Sequence, residues 1–270
     1  MNSLVPPISQ VFRGSIRAFQ TFPVTIGSAL AFAVVTMIRI QLNWPQQEPY
    51  NLLFNSLHWS FALGAIFSLA AITATQSRFN TKKAFLVANL LGVAVVVAAF
   101  LMLYLLGGTK SGLDDSSFVR VSVIAASRVS AAILISFLAF IILAGYPEDQ
   151  SDFARSFFMT HKAFFIALVY GLVIMAGTSG VAGAVQILLY SGMSEKVFEY
   201  TGTLVGFLTF TIFIGYFPDF RKGQIDERLE EAQKQPRFIE ILNVEIHVDP
   251  QHDVFSYWLN LNALHVKEKT

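Results

Sequence analysis

The chain has 270 residues, 54% of them hydrophobic and only 14% charged, with a mean hydropathy of +0.56, whereas soluble domains carry roughly 25% charge. The composition is that of a lipid-facing protein, and a formal net charge of +1 leaves no electrostatic footprint for a nucleic-acid partner. The absence of cysteine excludes disulfide frameworks, thiol nucleophiles, iron–sulfur clusters and cysteine-rich zinc sites together.

In chain order, Ile8, Val11, Phe12, Ile16 and Phe19 fall at helical spacing on one face, with Arg13 and Arg17 off it one turn apart. This pattern predicts a short helix within residues 1–21 that lies in the cytoplasmic interface, its arginines near anionic headgroups. The run from Phe22 to Leu42 is longer than a signal-peptide core and has no clear cleavage site after it, so it reads as a retained helix. A helix needs about 20 mostly apolar residues to cross the hydrocarbon core. Six stretches meet that demand: 22–42, 52–73, 84–106, 120–144, 163–189 and 198–217.

Basic residues are kept preferentially on the cytoplasmic side. Arg13, Arg17, Arg78, Lys82, Lys83, Arg155 and Lys162 fall on one side of these spans, against Lys110 and Lys196 on the other. Trp44, Tyr50, Tyr104 and Tyr190 mark the outer ends of the spans, and Tyr146 and Tyr216 the inner ends. The expected fold is therefore an all-α membrane protein with six transmembrane helices and both termini cytoplasmic. Residues 218–270 form a polar tail: a solvated helix over 219–234, then two strands around 242–248 and 255–261.

The fourth and sixth spans end alike, Phe137-Leu-Ala-Phe-Ile-Ile-Leu-Ala-Gly-Tyr146 against Phe207-Leu-Thr-Phe-Thr-Ile-Phe-Ile-Gly-Tyr216, with six of ten positions identical. Two explanations compete. A duplicated two-helix hairpin gives such similarity, and so does convergence on an apolar, glycine-tyrosine-proline helix end.

No Asp or Glu lies well inside a span, which speaks against a carboxylate-based proton or sodium relay. The intramembrane charges are basic. Arg39, His58, Arg120 and Arg128 all fall in the outer half of their spans, and together they define a candidate pocket for a small anion or an anionic lipid headgroup. Snorkelling of the arginines to the headgroups is the competing reading. Asp114 and Asp115 on the preceding loop are candidate partners of Arg128.

The fifth span is glycine-rich. Ala176, Gly177, Gly180, Gly183 and Ala184 provide a small-residue face for close approach of another helix, from this chain or another membrane subunit. Unwinding over 177–183 to expose backbone to a substrate is the sharper alternative. His247, His252 and His265 lack metal-ligand spacing, and no P-loop, nucleophile elbow or other catalytic constellation is present, so no metal or cofactor is expected and a third reading, an intramembrane enzyme, lacks a nucleophile or metal cluster.

The stretches Tyr146-Pro147, His161-Lys162-Ala-Phe-Phe165, Tyr170-Gly171, Gly177 to Gln186, Leu189-Tyr190 and Gly206-Phe-Leu to Gly215-Tyr-Phe-Pro-Asp-Phe220 resemble the bacterial membrane family labelled domain of unknown function 4153. The resemblance spans roughly residues 10–240. It implies a multi-pass protein of the bacterial cytoplasmic membrane with no established activity and no site residues to carry over. Members of that family typically continue into further spans after a segment like Pro236-Arg-Phe-Ile-Glu-Ile-Leu242, where this chain turns polar. That departure implies the front half of a larger architecture and puts any completed pocket in doubt.

Overall fold

The computed structural model describes residues 8–43, 46–79, 81–111, 114–145, 153–218 and 220. The elements are α1 (Ile8–Thr21), α2 (Pro23–Gln41), α3 (Asn51–Arg78), α4 (Lys82–Leu106), β1 (Gly108–Ser111), β2 (Asp114–Val121), α5 (Val123–Ala144), α6 (Phe153–Leu188) and α7 (Lys196–Gly215). A 3-10 turn, Glu48–Tyr50, leads into α3. Helices α2 to α7 are each long and apolar enough to cross a membrane. The chain divides into two compact units, 1–232 and 233–270; the expected tail helix and strands lie outside the described residues.

Local chemistry fixes the helix starts. Pro23 stands in the first turn of α2, where its missing N–H costs nothing. The Thr81 and Ser122 hydroxyls accept from the N–H of Ala84 and Ala125 and cap α4 and α5, each supplying an acceptor to an otherwise orphaned donor. The cap at Ser122 corrects the expected fourth span: the helix begins at Val123, and residues 120 and 121 belong to β2. The loop expected there is an antiparallel hairpin that pairs Gly108 with Val121 and Thr109 with Arg120. Helix α6 begins ten residues before the expected 163 and runs for 36 residues, about 54 Å at 1.5 Å per residue.

Helix α3 is the hub. It packs on α2, α4 and α5, and half of its most apolar window is buried, against 11–17% for α4, α5 and α6. Lipid offers no hydrophobic drive between helices, so spanning helices associate through close packing and hydrogen bonds. The α3 sequence serves both: Ser56, Ser60, Gly64 and Ser68 are buried along it, Gly64 faces the Val96 side chain, and Gly92 of α4 lies over Ser68. The α6–α7 pair closes in the same way, with Thr209 seated on Gly171. α4 and α5 both pack on α3 and make little contact with each other. The two hairpins that a duplication would relate are therefore arranged differently.

The core sits at one end of the bundle. Phe22 and Ile26 of α2, Leu69 and Ile72 of α3, Phe140 and Ala144 of α5, Met159 and Ala163 of α6, and Ile212 to Phe217 around the end of α7 form one cluster. Phe217 meets Phe140 and Phe213 edge-on, at centroid distances of 4.9 and 5.0 Å. We call this the closed end and the opposite one, where β1 and β2 lie, the hairpin end. Toward the hairpin end α6 has no buried residue after Gly171, and α5 none before Ser136.

Helix α1 crosses the closed end of α7 backbone to backbone: a Cβ at Gly14 would stand 2.6 Å from the Gly215 carbonyl oxygen. Gly14, Ser15, Ala18 and Thr21 are buried on that side, while Ile16 and Phe19 are exposed. Arg13 and Arg17 are exposed as well; the side chains of Ile8, Val11 and Phe12 lie outside the described residues.

Candidate functional site

Helices α2 and α3 run antiparallel and share a polar seam. At its hairpin end the Arg39 guanidinium donates to the side-chain oxygens of Asn55 (3.1 Å) and Asn51 (3.4 Å). One turn in, His58 Nε2 meets Thr36 Oγ1 at 3.0 Å. Deeper still, Ser28 lies beside Gly64, and Thr25 and Ser68 share a buried hydroxyl bond of 2.9 Å. Residues 25 to 39 cover about 21 Å of helix axis, most of the roughly 30 Å hydrocarbon core. Beyond Thr25 and Ser68 come Phe22, Leu69 and Ile72 of the core, which end the seam in apolar packing.

The bonding pattern orients each group. The Thr36 hydroxyl also reaches the Phe32 carbonyl at 2.9 Å. Spending its one hydrogen there, it accepts from His58, so Nε2 carries the proton. The Phe32 ring lies 4.6 Å from the imidazole, centroid to centroid. The turn after α2 is tied back by Gln47, whose Nε2 donates to the carbonyls of Arg39 (2.8 Å) and Leu42 (2.6 Å). The start of α7 is anchored to the same place: Lys196 Nζ donates to the Gln41 carbonyl (2.8 Å) and the Tyr200 hydroxyl to Gln41 Oε1 (2.7 Å). Between them lies a surface cleft of about 410 Å³, lined by residues that include Leu42, Asn43, Gln47, Glu195, Lys196 and Glu199.

Arg39 is half-buried, and the groups that hold it are neutral. Amide oxygens position a guanidinium without cancelling its charge. No carboxylate pairs with Arg39 among the described residues, so the mouth of the seam is a fixed, uncompensated cation with further N–H donors to spare.

The four residues expected to form one basic pocket are divided. Arg39 and His58 share the seam, one helical turn apart on facing helices. Arg120 is exposed on β2, where its carbonyl accepts from the Thr109 hydroxyl, and Arg128 is exposed on α5. Among the described residues no hydrogen bond joins either of them to Arg39 or His58. The side chains of Asp114 and Asp115 lie outside the described residues. Thr36, Asn51 and Asn55 complete the site although only their charged neighbours stood out in the sequence; Asn51, Asn55 and His58, spaced four and three apart, carried the signal.

The glycine face of α6 has no cover within the chain. Nothing approaches within 4 Å of a Cβ at Gly177, Gly180 or Gly183, and Ala176 and Ala184 are exposed. The expected alternative of unwinding over 177–183 is corrected: α6 is continuous through these residues. No group of histidine and carboxylate residues suited to a metal ion occurs among the described residues. No family model, curated protein or solved structure matches the chain, and the site is read from its own chemistry.

Proposed function

We propose that this six-span membrane protein binds a small anion, or the anionic group of a lipid, at the hairpin-end mouth of the α2–α3 seam. One observation carries the reading: a half-buried Arg39 fixed by two neutral asparagines, with no described carboxylate to neutralise it. An ionised group in a spanning segment is costly unless it serves a purpose. An oxyanion completes the arrangement, accepting from the guanidinium donors that the asparagines leave open, with Asn51 and Asn55 as the positioning residues. The polar seam behind it supports a ligand that enters from the hairpin end and stops before the core.

The proposal includes a bacterial cytoplasmic membrane as the location, with both termini inside, supported by the imbalance of basic residues between the two sides and by the resemblance to the family of unknown function 4153. Thermal unfolding of the detergent-purified protein tests the site, using phosphate, sulfate and acetate titrations at constant ionic strength. A ligand at a hundred times its dissociation constant stabilises by about 2.7 kcal/mol. The expected result is a rise with at least one anion that vanishes in Arg39→Gln and survives in Arg128→Gln. No rise in the wild type, or one that Arg39→Gln retains, removes the proposal.

The uncovered glycine face of α6 favours a second reading, a structural or sensory subunit that acts by packing α6 on a partner helix. Under it Gly180→Leu disrupts an assembly, and Arg39→Gln changes little.

A further inference from the structure

Arg128 occupies an unusual position for a charge. Ile124, Arg128, Ala131, Ile135, Leu138 and Ile142 follow each other at intervals of four and three along α5, and all six are exposed. They form one straight stripe on the side of the helix away from the buried Ser136, Phe140 and Ala144. In a spanning helix such a stripe faces lipid, and Arg128 is its only charge. The described residues provide it no hydrogen bond or ion pair.

Depth and direction then select what meets it. α5 begins at Val123, so Arg128 lies about 8 Å below the start of a helix about 33 Å long. Centred on a hydrocarbon core of roughly 30 Å, the helix places Arg128 about 6 Å inside it. Side chains on a helix lean toward its N-terminus, and the N-terminus of α5 is at the hairpin end. The arginine can therefore climb toward the nearer headgroup layer, with its aliphatic stem along the apolar stripe and its guanidinium at the hydrocarbon edge, within reach of headgroup phosphates.

We infer that Arg128 is a lipid-binding residue, which holds the headgroup phosphate of a phospholipid whose acyl chains lie along the Ile124–Ile142 stripe of α5. A planar guanidinium takes two phosphate oxygens at once, and the apolar stripe below supplies the surface for the chains. This site is separate from the Arg39 seam and does not depend on it.

Native mass spectrometry of the detergent-solubilised full chain, titrated with dioleoyl phosphatidylglycerol, tests the assignment. Dioleoylglycerol serves as the phosphate-free control and inorganic phosphate as the chain-free competitor. The wild type should retain phosphatidylglycerol and not dioleoylglycerol. Arg128→Leu should lose one bound phospholipid with roughly tenfold weaker retention, and Arg128→Lys should keep it. Because Arg128 is exposed and has no partner among the described residues, the variants keep their fold, which circular dichroism checks; Arg128→Gln provides a second neutral variant. Wild-type retention by both neutral variants overturns the inference. So does displacement of the lipid by inorganic phosphate at equal concentration, which would assign the position to a soluble anion.

Discussion

Replacing Gly14 by alanine tests the contact between α1 and α7. The added Cβ would stand 2.6 Å from the Gly215 carbonyl oxygen, where ordinary contact begins near 3.4 Å, so the helices must part by about 0.8 Å. That separation loosens Ala18 and Phe22 against Ile214 and Phe217, all of them nearly inaccessible. Overpacking of this kind costs about 1–3 kcal/mol, while exchange of glycine for alanine within a helix returns about 1 kcal/mol. Gly206→Ala on α7 isolates the second effect, since nothing lies within 4 Å of a Cβ there. The two variants should differ by about 1–3 kcal/mol, or about 2–12 °C at 2–4 °C per kcal/mol for a chain of this size. Thermal unfolding in detergent reads the difference. If Gly14→Ala unfolds at the same temperature as Gly206→Ala, α1 does not rest on α7 as described.

Other contacts give sharper or weaker responses. On α6, Gly171→Leu should drive the helix off Thr209 and destabilise the protein by 1–3 kcal/mol or more, whereas Gly180→Leu should leave the monomer's unfolding temperature nearly unchanged; equal effects in the same assay would contradict the one-sided cover of α6. Thr25→Val removes the bond to Ser68, but Ser68 Oγ still reaches the Ala65 carbonyl at 3.2 Å, so the loss should stay near the roughly 0.6 kcal/mol average for polar contacts between spanning helices. Ser122→Ala takes the cap from α5 and should cost about 1 kcal/mol, visible as faster amide exchange at Ala125 than in the wild type.

Much of this architecture was legible in the sequence, because lipid imposes a simple rule: a chain that cannot satisfy its backbone against water must form apolar helices about 20 residues long. All six spanning helices follow it. The rule finds where lipid is, not where a helix stops. α3 continues to Arg78 and α6 starts at Phe153 because polar residues outside the hydrocarbon are as content in a helix as in a loop. The start of α5 was misplaced for a related reason. Phe118, Val119, Val121 and Val123 lead into the apolar helix, and hydropathy alone does not separate a strand edge from a helix; Ser122, three residues before the Ala125 N–H it caps, was the informative letter.

The site was half legible. Arg39 and His58 stood out as polar residues in apolar helices, yet a shared depth did not bring Arg120 and Arg128 to them, because depth says nothing about azimuth. Glycine spacing on α6 had the same weakness. Small residues mark a surface that permits close approach, and Gly171 and Gly180 differ only in whether Thr209 is present to use it.

The one-sided core has a mechanical consequence. Helices α5 and α6 are packed at the closed end around Phe140 and Met159 and have no buried residue toward the hairpin end, so they are held at one end only. A tilt about the closed end would be amplified along α5 and α6 toward their hairpin ends, while the Lys196 and Tyr200 bonds to Gln41 tie α7 to α2 beside Arg39. The Arg39 mouth thus lies where α7 is bonded to α2, and the glycine-lined stretch of α6 on an uncovered face.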